Sequence, residues 1–250
     1  MKKITIFSGA GISAESGIAT FRDSDGLWEN FKVDDVATPK GWSNDRKKVL
    51  EFYNARRRQM PTVEPNDAHI ALAALESEYD VTIVTQNVDD LHERGGSTNI
   101  LHLHGELTKA RTSFCMNNPL LVRSQKVYDI GYNDINMGDE CEEGVQLRPH
   151  IVWFGEYPFH VDKAYQAFRE ADVVIIIGTT LQISYTLGFF GEVKLNCKII
   201  YIDPSPSKTL DFEYPELEIE YIEKGAVEGV TEVVNRLLIQ AVGSDKKDNN

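Results

Sequence analysis

Ile4-Thr5-Ile6-Phe7-Ser8-Gly9-Ala10-Gly11-Ile12-Ser13-Ala14-Glu15-Ser16-Gly17-Ile18-Ala19-Thr20-Phe21-Arg22 is the stretch that decides how the rest of the chain is read. The β-branched and aromatic run at 4–7 has the composition of a buried parallel strand, and the glycines fall where such a strand turns into a helix. In α/β folds phosphates bind there. Without side chains, Gly9 and Gly11, on either side of Ala10, let the backbone approach a pyrophosphate, while the unpaired N–H groups and positive dipole end of the following helix stabilise its charge. Ser13 can cap that helix or bond the ligand. A glycine pair after a strand also serves as a tight turn that binds nothing. The continuation favours a ligand, because Gly17-Ile18 and Phe21-Arg22-Asp23-Ser24-Asp25-Gly26-Leu27-Trp28 make a long polar loop with two aromatics, suited to a lid over a cofactor.

Further along, Val81-Thr82-Ile83-Val84, Val173-Val174-Ile175-Ile176-Ile177, Lys198-Ile199-Ile200-Tyr201-Ile202 and residues 219–222 read as strands. Helical apolar stripes alternate with them, including Val49, Leu50, Phe52 and Tyr53; Ile70, Leu72, Ala74 and Leu75; a helix over 161–170; and one over 226–242. Strands alternating with helices, several of them continuously apolar, specify an α/β fold: a Rossmann-like doubly wound parallel sheet with ligands at the carboxyl ends of its strands. Two of those ends are polar, Thr85-Gln86-Asn87-Val88-Asp89 and Gly178-Thr179-Thr180. Taken singly, Gln86, Asn87 and Asp89 suit a turn with a helix cap. Together, two amides and a carboxylate suit a nicotinamide carboxamide and the hydroxyls of its ribose. In Ile100-Leu101-His102-Leu103-His104-Gly105-Glu106-Leu107 the two histidines are equal candidates by spacing, for proton transfer or for a metal, and both point to one face of a strand.

The 250 residues, 42% apolar and 26% charged, suffice for one large domain or a domain with a smaller insert. A net charge of −13 disfavours nucleic-acid binding, which needs basic surface, and makes basic protein segments the more natural partners. Met1-Lys2-Lys3 is too short for a signal peptide and no apolar run approaches a membrane span, so a cytoplasmic protein is expected. Cys115, Cys141 and Cys197, odd in number and widely spaced, read as reduced thiols.

The loop at 9–22, Gln86-Asn87-Val88-Asp89, His104-Gly105, Val152-Trp153-Phe154-Gly155-Glu156 and Gly178-Thr179-Thr180 together resemble the sirtuins, NAD-dependent protein lysine deacylases. The resemblance covers most of 4–107 and 148–203. It implies NAD as cofactor and acyl-lysine proteins or peptides as substrates. On it, Gly9, Ala10, Gly11, Ser13, Arg22, Trp28, Gln86, Asn87, Val88, Asp89, Gly178, Thr179 and Thr180 bind the cofactor, with Tyr201, Ile202, Asp203 and Ala226 near its adenosine. Asp89 holds the carboxamide, Asn87 orders the reacting ribose and a water, His104 is the base, and His102 is structural. Val152, Phe154 and Gly155 line the acyl-lysine tunnel, on a strand that pairs with an extended peptide. The products are nicotinamide, O-acyl-ADP-ribose and free lysine. A glycohydrolase or ADP-ribosyltransferase could use the same cofactor site, as could a non-catalytic sensor of NAD or ADP-ribose.

Three departures and one closer match refine this. Sirtuins usually carry two Cys-x-x-Cys pairs on one zinc ion between positions 108 and 147, where this chain has Thr112 at the first ligand position and only Cys115 and Cys141, so no metal is expected. An apolar cluster of Leu120, Leu121, Val122, Val127, Tyr128, Ile130, Tyr132 and Ile135, turning near Tyr132-Asn133, is expected instead. Thr180 replaces a serine. Tyr201 and Asp203 stand where asparagine and glutamate are common. Tyr53 and Arg56, three apart on a helix, otherwise suit a core tyrosine and a solvated arginine, but Phe52-Tyr53-Asn54-Ala55-Arg56 resembles the Tyr-x-x-Arg motif of sirtuins that accept acidic acyl groups. That implies desuccinylation and demalonylation with deacetylation retained. The expected NAD-binding domain takes 1–30, 80–107 and 148–242, a small domain takes 31–79 and 108–147, and 243–250 is a disordered tail.

Overall fold

The computed structural model describes residues 1–19, 27–28, 31–113 and 126–245, with backbone alone at 27–28 and 243–245. The strands are β1 (Lys3–Ser8), β2 (Leu27–Trp28), β3 (Phe31–Lys32), β4 (Asp80–Thr85), β5 (Ile100–His102), β6 (Gly105–Thr112), β7 (Val127–Asp129), β8 (Leu147–Ile151), β9 (Val173–Ile177), β10 (Lys198–Ile202) and β11 (Ile219–Ile222). Six of them form a parallel sheet in the order β11-β10-β9-β1-β4-β5. The chain starts at the centre, winds outward through β4 and β5, then returns to β9 on the other side of β1 and winds outward again. The reversal lies between β1 and its two neighbours, and in such sheets the crevice beyond the carboxyl ends at that point takes the ligand.

Alternate residues of these strands feed two cores. Ile4, Ile6, Ile83, Ile175, Ile177 and Ile202 pack on one face against Leu72 of α4 (Asp67–Ala74) and Val230, Val233 and Leu237 of α9 (Ala226–Asp245). Phe7, Val84, Val174, Ile176 and Tyr201 pack on the other against Phe168 of α6 (Val161–Glu170) and Phe189. Covering on both faces explains why the sequence at 173–177 is apolar throughout. Helix α9 runs to Asp245, so the expected tail at 243 begins inside a helix; 246–250 lie outside the described residues.

A third core joins α1 (Val33–Val36), α2 (Pro39–Asn44) and α3 (Arg46–Gln59) to an antiparallel sheet in the order β7-β6-β8, through Trp42, Val49, Phe52 and Tyr53 with Leu107, Ala110, Ile135, Ile151 and Trp153. This corrects the expected boundaries at 107 and 148, which cut through β6 and β8. A ladder needs both partners, and Leu107, Ala110 and Ile151 bury their side chains against α3. Where β5 hands the chain to β6, Gly105 has φ +87 and its Cβ would lie 1.9 Å from the His150 carbonyl oxygen, so no other residue fits that corner.

The segment after β7 also differs from expectation. The chain bends at 131–132, but β7 pairs with β6 and not with the residues beyond the bend. Val127 and Tyr132 are exposed, and of the expected cluster Ile135 is buried and Ile130 packs at its margin; Leu120, Leu121, Val122 and Cys115 lie outside the described residues. Polar side chains tether the segment instead. Asn54 of α3 exchanges two hydrogen bonds with the Ile135 backbone (2.9 and 3.0 Å), and the Gln146 amide donates to the carbonyls of Asn136, Asp139 and Leu147.

Candidate active site

At the reversal point the end of β9 is clamped onto the loop after β1. The Gly9 N–H donates to the Ile177 carbonyl (3.0 Å) and the Gly11 N–H to the Gly178 carbonyl (2.8 Å). A Cβ on Gly11 would lie 2.5 Å from Gly178 Cα, and one on Gly9 would lie 2.8 Å from Thr179 Cβ. The glycines are thus required first by this chain crossing. Their N–H groups are not open to a phosphate, and the segment that follows is two 3-10 turns, Ala10–Ile12 and Ala14–Ser16, in place of the expected helix.

Ser13 stands between the two 3-10 turns, but its side chain caps neither and is buried. Its hydroxyl donates to Asp89 (3.1 Å) and accepts from the Asn87 amide (3.1 Å), which ties the loop after β1 to the loop after β4. Asn87 and Asp89 are buried, and burial raises the Asp89 pKa to about 6 against the pull of the Leu91 N–H and the Ser13 hydroxyl. The Gln86 side-chain carbonyl accepts from Thr179 (2.9 Å), joining the ends of β4 and β9. Val88 packs partly buried against the third core and donates no side-chain polar group. Gln86, Asn87, Asp89, Ser13 and Thr179 therefore converge where two amides and a poorly solvated carboxyl can bind a carboxamide and hydroxyls. Arg22 and the Trp28 side chain lie outside the described residues.

The two histidines separate. β5 ends at His102, so they do not share one strand face. His102 Nδ1 donates to the Asn87 carbonyl (2.9 Å) and its Nε2 meets Glu93 (2.8 Å); burial opposes protonation, but the Glu93 carboxylate raises the pKa above its ordinary value. Glu93, His102 and Glu106 bring their ligand atoms within 4.8 Å of one another, yet Glu106 is already paired with Lys109 at 2.8 Å and His102 with Glu93. His104 Nδ1 lies 3.0 Å from the Gln86 carbonyl, which can only accept, so Nδ1 carries the proton and Nε2 the lone pair. Burial lowers the His104 pKa, leaving it neutral near pH 7. Its Nε2 is 2.7 Å from the Tyr185 hydroxyl, a contact that no feature of the sequence indicates.

The expected peptide strand is shorter than the motif. β8 stops at Ile151, and 152–156 form a turn closed by the Glu156 N–H on the Trp153 carbonyl. The Val152 N–H donates to the His104 carbonyl, Phe154 is 56% exposed, and Gly155 sits at φ +89. A buried ionic cluster holds the turn. Arg148 and Arg111 both donate to the Glu156 carboxylate (2.6–2.9 Å) and to the Ile151 carbonyl (2.8 Å), and Glu156 also accepts from the Trp153 N–H. These two arginines are contacts the sequence did not single out. Below the turn, the Trp153 indole N–H donates to the Tyr53 hydroxyl. Arg56 is 6% exposed with its guanidinium 3.5 Å from the Phe52 ring centroid, so it does not share a solvated face with the exposed Arg58.

On the far side, a groove of about 690 Å³ at the ends of β9 and β10 is lined by Thr180, Gln182, Ser184, Ser205, Ser207 and other residues. Tyr201 and Ile202 are fully buried, one in each core, so only their main chain can meet a nucleotide; Asp203 is buried with Oδ1 on the Ser205 N–H, and Ala226 is buried at the start of α9. Thr112 ends β6 and Cys141 is a buried free thiol accepting from the Glu143 N–H. Among the described residues of this segment, a threonine hydroxyl and one thiol do not make the donor set of a tetrahedral zinc site.

The chain is similar along its length to known proteins. It is 45% identical to an NAD-dependent protein deacylase of Bacteroides thetaiotaomicron over 96% of this chain and 100% of the relative, and 46% identical to one of Helicobacter pylori at the same coverages. Among solved structures, a Sir2 homologue mutant in complex with ADP-ribose superposes with a TM-score of 0.81 at 34% identity, covering 97% of this chain and 94% of that one. A Sir2 homologue in complex with NAD also gives 0.81 at 34% identity, with 96% and 91% covered. Residues 9–185 match the Sir2 family model, and the chain belongs to the Sir2 family.

Proposed function

We propose that this protein removes acyl groups from protein lysines in an NAD-dependent reaction, leaving nicotinamide, O-acyl-ADP-ribose and free lysine. The observation that carries the reading is His104, neutral and fixed by Gln86 with its lone pair on Nε2, beside the convergent polar groups at the sheet's reversal point. When bound, NAD supplies a ribose carbon from which nicotinamide leaves and hydroxyls that need a base.

Asp89 and Asn87, joined through Ser13, are suited to holding the carboxamide and ordering the ribose. His104 Nε2 takes a proton from a ribose hydroxyl. Gly9, Gly11 and Gly178 let the two loops close on each other, and Thr180 faces the groove assigned to the adenosine half. Val152, Phe154 and Gly155 border the acyl-lysine channel between the parallel-sheet domain and the smaller unit. Arg56, with Tyr53 on the same face of α3, holds the distal carboxylate of succinyl- or malonyl-lysine, and acetyl-lysine is also accepted.

No described helix is long and apolar enough to cross a membrane. Cys141 and Cys197 are free thiols, which suits a reducing, cytoplasmic setting. The test is deacylation of acetyl- and succinyl-lysine peptides with and without NAD. His104→Ala should abolish turnover. Nicotinamide release at a rate that no peptide increases would replace this reading with a glycohydrolase, and ADP-ribose binding without turnover would make the protein a sensor.

A further inference from the structure

We infer that Tyr185 gates the catalytic base: its hydroxyl occupies the lone pair of His104 Nε2 until a ribose hydroxyl displaces it. The inference rests on the reading of His104 as the base. The Gln86 carbonyl fixes the proton on Nδ1, so at Nε2 the imidazole can only accept, and the Tyr185 O–H is the donor at 2.7 Å. The two rings meet nearly edge to face, with centroids 6.2 Å apart and planes at 74°. A base in this state has no site left for a substrate proton.

Tyr185 reaches His104 from α7 (Ser184–Leu187), whose neighbouring Ser184 lines the groove beside Thr180. The same short segment therefore borders the groove assigned to the adenosine half and closes the base. Its link to β9 passes through Leu181, a buried non-glycine residue at φ +57. A leucine in the left-handed region is strained, because its Cβ crowds the backbone, so this connection stands in a backbone state that rearrangement can relieve. The Tyr185 ring rests edge-on against Phe189, with centroids 6.0 Å apart, and burial raises its pKa, which keeps it a donor throughout the neutral range.

Among the described residues, three elements hydrogen-bond to His104. The end of β4 presents the Gln86 carbonyl, the turn after β8 presents the Val152 N–H to the His104 carbonyl, and α7 presents Tyr185. No charged side chain contributes to its shift: Glu106, two residues on, is paired with Lys109 at 2.8 Å, and Asp89 on the β4 loop is turned to Ser13 and the Leu91 N–H. The titration of His104 thus reports on the Tyr185 contact.

Tyr185→Phe removes one oxygen and keeps the ring on Phe189. A donor to Nε2 stabilises the neutral imidazole, so its loss should raise the His104 pKa by about 0.4–1 unit, the shift expected when a hydrogen bond of 0.5–1.5 kcal/mol is lost at 1.36 kcal/mol per unit. Heteronuclear NMR of the full chain follows that titration, with His104→Ala assigning the resonance. The gate also predicts a KM for NAD several-fold lower in Tyr185→Phe, because the ribose no longer competes with the phenol. An unchanged titration would overturn the contact, and a shifted titration with unchanged or raised KM would overturn the gate. Near-wild-type turnover by His104→Ala would remove the base itself, a failure visible in activity while the titration still shows the contact.

Discussion

Trp153 and Tyr53, one hundred residues apart, share a hydrogen bond of 3.0 Å from the indole N–H to a phenol with no exposed surface. It couples the turn at 152–156, which we propose borders an acyl-lysine channel, to the helix that carries Arg56. Arg56→Met should raise the KM for a succinyl peptide tenfold or more and leave the acetyl peptide much less affected, because charge-assisted bonds to a carboxylate contribute roughly 1.5–3 kcal/mol. Steady-state kinetics on both peptides decide it. Equal losses would mean that Arg56 serves the fold alone. Tyr53→Phe leaves the buried Trp153 N–H unsatisfied and should also lower stability by about 1–3 kcal/mol.

Glu156 bridges Arg111 and Arg148, whose side chains are 4% and 1% exposed. Burial works against its charge, but the two guanidiniums hold its pKa below the ordinary carboxylate value. Removing one partner of a buried ionic cluster typically costs about 3–5 kcal/mol, so Glu156→Gln should lower the Tm on the order of 10 °C. The turn it clasps should loosen as well, raising peptide KM more than it lowers kcat. A Tm within a degree of wild type would show that the turn holds without the charge.

The sheet was legible because β9, buried on both faces, is written in continuous Val and Ile, and β1 and β4 in β-branched runs that pass into polar residues at their carboxyl ends. Gln86, Asn87 and Asp89 were legible as a polar group in the loop after β4, whereas spacing left His102 and His104 equal and only the resemblance to sirtuins chose His104. Contacts between distant side chains were not. Nothing in the sequence around 185 marks a tyrosine that reaches His104, since its neighbours Gly188 and Gly191 suggest only a loop. Gly9 and Gly11 mark the crossing without its full reason, because the sequence cannot tell a backbone that approaches a phosphate from one that approaches Gly178. Within 108–147 the described part of the expected apolar cluster buries only Ile135, with Ile130 at its margin, and Asn54, an unspecified position of the Tyr-x-x-Arg stretch, and Gln146 tether the segment through polar bonds that the pattern does not reveal.

Purified without a metal-binding tag, the protein should contain well below one zinc ion per chain, and EDTA should leave its Tm unchanged. Polar tethers at Ile135 and Gln146 and the buried Cys141 thiol, which accepts from the Glu143 N–H, occupy the region where a zinc module would sit. A structural zinc contributes folding energy outright, so chelation would lower the Tm if one were present. Stoichiometric zinc, or a Tm that falls on chelation, would show that Cys141 has thiolate partners elsewhere.

Asp89 gives a pH dependence whose sign is fixed by burial. Its folded-state pKa is raised from an ordinary 3.8 to about 6, first by desolvation, with the Leu91 and Ser13 hydrogen bonds opposing. The folded protein therefore binds this proton more tightly than the unfolded chain, and the associated stability is fully present below pH 3.8 and lost as pH rises through 6. A shift of about two units corresponds to roughly 3 kcal/mol at most. Asp89→Asn removes the charge and keeps a side chain able to bond Ser13, so at pH 7.5 it should melt above the wild type, and the gap should close as the pH falls to about 4. The same substitution should weaken NAD binding and slow turnover, so stability and activity move in opposite directions. A Tm difference that stays constant from pH 4 to 7.5 would mean that the carboxyl is not titrating in this range and that the polar cluster with Ser13 and Asn87 holds it ionised.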